Sequence, residues 1–132
     1  MSKPHETRFL PGLNAGLGAD VDVQVISLVE SFNGLGLTTI SSCQGDPGII
    51  GEGGSYGHIS FYRSQDRQAE YEELSRFTFG FLREMFGHLY DDVILSVHLS
   101  EQTGFYGWMS FRNEAIENIS LRLSVYCDMR HR

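Results

Sequence analysis

Apolar residues recur at every second position in four stretches of this chain, 57–62, 93–99, 105–112 and 119–126, and no other feature constrains the fold as strongly. A strand turns successive side chains to opposite faces. The pattern therefore predicts a sheet with one apolar face to be covered and one polar face left open. A fifth strand is expected over 37–44, rich in Thr, Ile and Ser. Turn residues such as Gly104, Asn113 and Asn118 separate the last three runs and predict a meander.

Two segments carry the other period. From Asp20, a good helix-capping residue, Val21, Val25, Leu28, Val29, Phe32 and Leu35 recur at helical spacing until Gly34 and Gly36 stop the run. A longer helix is expected over 66–88, where Tyr71, Leu74, Thr78, Phe81, Leu82, Met85 and Leu89 share a face. Glu70, Glu72 and Glu73 sit near its electropositive start. Pro4, Pro11, Gly12, Gly16 and Gly18 make 1–19 an extended arm, so 20–132 is expected to be one domain. The order αββαβββ predicts an α+β fold: a two-layer sandwich of a five-stranded, mostly antiparallel sheet with two helices on one face.

A chain of 132 residues builds one core. Its apolar runs are interrupted by charges, so no membrane span is expected. Residues 1–8 lack the apolar centre of a secretory signal, and the expected location is cytoplasmic. Seventeen acids against ten bases give a net charge of −7. With the bases scattered singly, extended nucleic-acid binding is not expected. Two cysteines, Cys43 and Cys127, form neither a disulfide framework nor a CxxC motif.

The predicted open face collects His58, Ser60, Tyr62, His98, Tyr106, Trp108, Ser110, Arg112, Ser120, Arg122 and Tyr126. Tyr, Trp and Arg are enriched at binding hot spots because each joins a large contact area to a polar handle. His98, Tyr106, Trp108, Arg112 and Arg122 are therefore the interface candidates. Three readings stay open: cross-strand pairs stabilising a solvated sheet, a homodimer through this face, or a platform on which a ligand stacks.

The second candidate region is the strand end Ser41-Ser42-Cys43-Gln44-Gly45-Asp46, followed by Gly48, Gly51, Gly53, Gly54 and Gly57. A strand that runs into a glycine loop exposes backbone amides able to surround an anion or ligand. Ser41, Ser42, Cys43, Gly45, Asp46 and His58 are the ligand-binding candidates. The residue types permit a Cys43 nucleophile with His58 as base, a metal bound by Cys43 with Asp46 or His58, or anion binding by loop amides. No zinc spacing is present, so no metal ligand, cofactor or catalytic residue is assigned. His5, His88 and His131, near termini or helix ends, carry no signal.

The run Ser31-Phe32-Asn33-Gly34-Leu35-Gly36, the element Thr38-Thr39-Ile40-Ser41-Ser42-Cys43-Gln44-Gly45 and the strand Gly57-His58-Ile59-Ser60-Phe61 resemble small bacterial and phage proteins with a helix followed by a Thr-x-x-Ser-Cys-x-Gly strand and loop. More distantly, Ser41, Ser42, Cys43 and Gly45 are similar to the Ser-Ser-Cys-x-Gly element of the tRNA wybutosine-synthesizing protein three family, with Asp46 where that family has a basic residue. That likeness implies methyl transfer from S-adenosylmethionine to a modified nucleoside. The residues themselves name no activity. They favour a homodimeric or partner-binding module with a small-ligand pocket at the Cys43 loop, and the alternative is the methyltransferase-like enzyme.

Overall fold

The computed structural model describes residues 4–13, 17–63, 67–102 and 104–130. Strands β1 (Thr7–Leu10) and β2 (Ala19–Asp22) pair antiparallel in a small separate sheet. A 3-10 turn, Val23–Val25, leads into α1 (Ile26–Gly34). Strands β3 (Thr38–Cys43) and β4 (Tyr56–Tyr62) flank the glycine loop. Helix α2 (Arg67–Ser75) runs through a π-helical stretch, Arg76–Leu82, into α3 (Arg83–Phe86). Strands β5 (Val93–Ser100) and β6 (Gly104–Arg112) follow, and α4 (Ile116–Arg130) ends the described chain. The main sheet has four strands in the order β3-β4-β6-β5, all antiparallel.

The α+β class expected from the sequence is present, but the expected five-stranded sheet is not. Residues 119–126 lie in α4 instead of a fifth strand. The run fits both periods. Read as a strand it would bury Leu121 and Val125, which are 63% and 51% exposed; read as a helix it buries Ile116, Ile119 and Leu123, one turn or two apart. Packing on α1 decides between them: Ser27 Oγ lies 3.4 Å from Ser124 Oγ, and the Cys127 thiol donates to the Ser31 carbonyl at 3.7 Å. Among the described residues, three helical segments, α1, the run from α2 to α3 and α4, accompany the sheet instead of two.

The expected arm over 1–19 contains β1, and the expected capping residue Asp20 is paired within β2 opposite Phe9. Helix α1 accordingly starts later than the periodicity indicates, and its start has no side-chain cap. Its end agrees with expectation: Gly36 takes φ +88°, a conformation that suits glycine. Of the long helix expected over 66–88, residue 66 lies outside the described residues, 67–86 form α2, the π-helical stretch and α3, and 87–88 belong to a 3-10 stretch, Gly87–Asp92.

Ile59 and Phe61 of β4 and Met109 and Phe111 of β6 are fully buried, together with Leu28 and Phe32 of α1, Leu82 and Phe86. Burying each such side chain contributes about 1.5–3 kcal/mol. Phe32 meets Phe61 edge-on at 4.9 Å between centroids, and Phe77 meets Phe61 at 5.6 Å. Gly107 faces Phe61 across the ladder, where a Cβ would lie 2.3 Å from the ring. The absent side chain at 107 is what admits the phenyl ring. Among the described residues, no helix is long and apolar enough to cross a membrane.

Candidate functional site

Cys43 ends β3 directly opposite His58. The chain then turns sharply at Gln44 and Gly45. Gly45 has φ +69°, and a Cβ there would lie 2.5 Å from both the Ser55 carbonyl oxygen and the Gly57 nitrogen, so only glycine makes this turn unstrained. The turn directs two backbone N–H groups inward, Gln44 N–H to Asp22 Oδ2 at 3.0 Å and Gly45 N–H to Cys43 Sγ at 3.4 Å. Asn113 buttresses it from behind, donating through Nδ2 to the Gln44 carbonyl at 3.1 Å and to Gln24 Oε1 at 2.8 Å.

Pairing of β1 with β2 brings two further residues to this point, Asp22 at the end of β2 and His5 just before β1. His5 Nδ1 lies 2.9 Å from Asp22 Oδ2, and His5 Nε2 lies 2.8 Å from Asp46 Oδ1. Both ring nitrogens face carboxylates, an arrangement satisfied in full only by the imidazolium. The hydrogen bond to Asp46 raises the His5 pKa above its ordinary value; burial opposes this and Asp22 reinforces it. The coordinating atoms of His5, Asp22 and Cys43 all lie within 4.8 Å of one another, so this trio is able to hold a metal ion. The sequence pattern passes over His5 and Asp22 because they meet Cys43 only through the hairpin, at separations no motif contains.

Burial raises the pKa of the Cys43 thiol; the Gly45 N–H opposes that shift and the Asp22 and Asp46 carboxylates add to it. A thiol held protonated is a poor nucleophile, which speaks against the Cys43 attack that the sequence leaves open. His58 engages a different residue, with Nε2 3.2 Å from Ser41 Oγ and its ring stacked on Trp108 at 4.2 Å and 11°. Desolvation lowers its pKa, against a raising influence from Asp22.

Ladder register divides the six ligand-binding candidates. Ser41 pairs with Ser60 and Cys43 with His58, so these share the open face, whereas Ser42 pairs with Ile59 on the covered side. Gly45 and Asp46 lie in the turn. Ser41 Oγ is 2.6 Å from Ser60 Oγ, continuing the hydrogen-bonded line from His58.

Across the rest of that face, His98 stacks on Tyr106 at 5.3 Å and meets Trp108 edge-on at 6.3 Å, while Trp108 Nε1 donates to Ser110 Oγ at 2.7 Å. Three of the five interface candidates therefore form one aromatic row. Arg112 is turned towards the glycine loop, donating to the Gly48 carbonyl at 3.0 Å and lying 3.7 Å from both Asp92 and Glu114. Arg122 is on α4 and donates to the Met85 carbonyl at 3.3 Å, so it does not belong to the sheet face; Ser120 and Tyr126 leave it for the same reason. Beside the row, a hollow of about 230 Å³ opens between Ile40, Ser41, Ser60, Ser100, Tyr106 and Trp108. Ile40 reaches its rim from a register shift in β3 between Thr39 and Ser41, and is 42% exposed. Comparison with protein-family models, curated proteins and solved structures finds no match to this chain.

Proposed function

We propose that this chain is a binding module that holds a flat, hydrogen-bonding small molecule on its open sheet face. The carrying observation is the hollow in which Ile40, Tyr106 and Trp108 stand beside Ser41, Ser60 and Ser100. Ligand sites combine apolar surface with a few placed polar groups in this way. The volume suits one ring system and not an extended chain. Stacking on an aromatic side chain contributes about 1–3 kcal/mol per base, so a nucleobase or similar heterocycle fits the walls.

Trp108 is the sole tryptophan, and its fluorescence therefore reports on the hollow directly. Nucleosides, free bases and S-adenosylmethionine form the test panel, the last following from the likeness of Ser41, Ser42, Cys43 and Gly45 to the methyltransferase motif. A saturable change in Trp108 emission, weakened about tenfold or more by Tyr106→Ala, is expected. Unchanged emission across the panel at millimolar concentration overturns the reading. Selective binding of S-adenosylmethionine moves it to the methyl-transfer alternative.

A second reading, a homodimer, has its own observation. Among the described residues, β5 is the last strand in the order of the sheet, and its eight residues contain neither Lys, Arg, Asp, Glu nor Pro. Such an edge lacks the charges that normally prevent strand addition. The opposite edge, β3, is interrupted by its register shift. An antiparallel pair of β5 strands would join two sheets into one. Light scattering should then find a dimer that Leu99→Lys, at a position 63% exposed, converts to monomer; a wild-type monomer at high micromolar concentration removes this reading.

A further inference from the structure

We infer that His5, Asp22 and Cys43 form a binding site for a divalent transition metal ion, with zinc the ion their donor set fits. One imidazole nitrogen, one carboxylate oxygen and one sulfur converge within 4.8 Å. Zinc bonds of about 2.0–2.3 Å place tetrahedral ligand atoms roughly 3.3–3.8 Å apart, so modest side-chain rotations close the site. A sulfur and an imidazole among the donors disfavour calcium and magnesium, which take oxygen ligands.

The hydrogen bonds assign the ring nitrogens. His5 Nδ1 faces Asp22, the other member of the trio, while Nε2 faces Asp46. Asp46 thus accepts the Nε2–H and leaves the Nδ1 lone pair for the metal, a carboxylate–imidazole–metal relay of the kind that orients histidine ligands. Backbone N–H groups of Gln44 and Gly45 already contact the other two ligands, on Asp22 Oδ2 and Cys43 Sγ. With Asp46 engaged by the ring, three protein ligands remain and the fourth position belongs to water or a substrate, as in reactive zinc sites. Starting from the imidazolium and the thiol, coordination releases two protons to solvent, one from Nδ1 and one from Sγ. No electron is transferred. The metal replaces the proton that otherwise lets His5 bridge the two carboxylates.

Cobalt(II) and zinc are the probes, added to the full chain after treatment with chelator. The expected result is binding of one equivalent of cobalt with a sulfur-to-metal charge-transfer band, abolished by Cys43→Ser and by His5→Gln. Absence of the band in the wild type, or its persistence in both variants, overturns the proposal. A measurement on unaltered protein guards against misfolded variants: bound zinc should slow alkylation of Cys43 but not of Cys127, as read by peptide mass. Equal rates with and without zinc at Cys43 would likewise overturn it.

Discussion

His5 and His58 approach Cys43 from different elements, and their surroundings drive them in opposite directions. Two carboxylates hold His5 towards the imidazolium, whereas His58, stacked on Trp108 and bonded to Ser41, is held towards the neutral ring. The hydrogen bond to Asp46 dominates in the first case and desolvation in the second. Position in the sequence explains neither outcome. Two regions of one protein are distinguished in this way, a polar cluster around His5, Asp22 and Asp46 and an aromatic row on the sheet face.

The largest effect is expected where the two regions share a support. Gly45→Ala adds a Cβ against the Ser55 carbonyl and the Gly57 nitrogen at a left-handed residue. A loss of about 2–4 kcal/mol in urea unfolding should follow, with disturbance of both histidines in NMR spectra. A loss below about 0.5 kcal/mol would show that the turn relaxes freely and that the two regions do not depend on it.

A smaller effect separates the histidines by pH, in the presence of chelator. The folded pKa of His5 is raised, so its contribution to stability is complete below the unfolded value of about 6.5 and disappears as pH rises through the raised folded value. The folded pKa of His58 is lowered, so its contribution is complete above about 6.5 and is lost as pH falls towards the lowered folded value. Unfolding free energies measured across pH should therefore lose their alkaline-side decline in His5→Gln and part of their acid-side decline in His58→Gln. An unchanged alkaline limb in His5→Gln would show that the bridge between Asp22 and Asp46 carries no charge.

Much of the fold is legible in the residues. Strands β4 and β6 follow their alternation, whereas β5 does so only in part, with Leu99 exposed; on the long helix Leu74 and Leu82 of the expected apolar face are buried, while Tyr71 is half exposed. The error at 119–126 has a physical origin: Ile119, Leu121, Leu123 and Val125 satisfy a period of two, while Ile116, Ile119 and Leu123 satisfy the helical one. Both patterns are present, and only the surface offered by α1 selects between them. For the candidate site, Cys43, Asp46 and His58 could be named from the strand and loop. His5 could not, since the residues around it contain no motif and its partners lie 17 and 41 positions away.

Local chemistry by itself determined the stop at Gly36 and the alternation that buries Ile59 and Phe61 while leaving His58 and Ser60 on the other side. These depend on backbone sterics and side-chain period, which act over a few residues. Tertiary structure alone decided that α4 is a helix, that Arg122 leaves the sheet face and that His5 joins Asp22 and Cys43. Each of those outcomes depends on which surfaces meet after the chain closes, and neither residue type nor spacing carries that information.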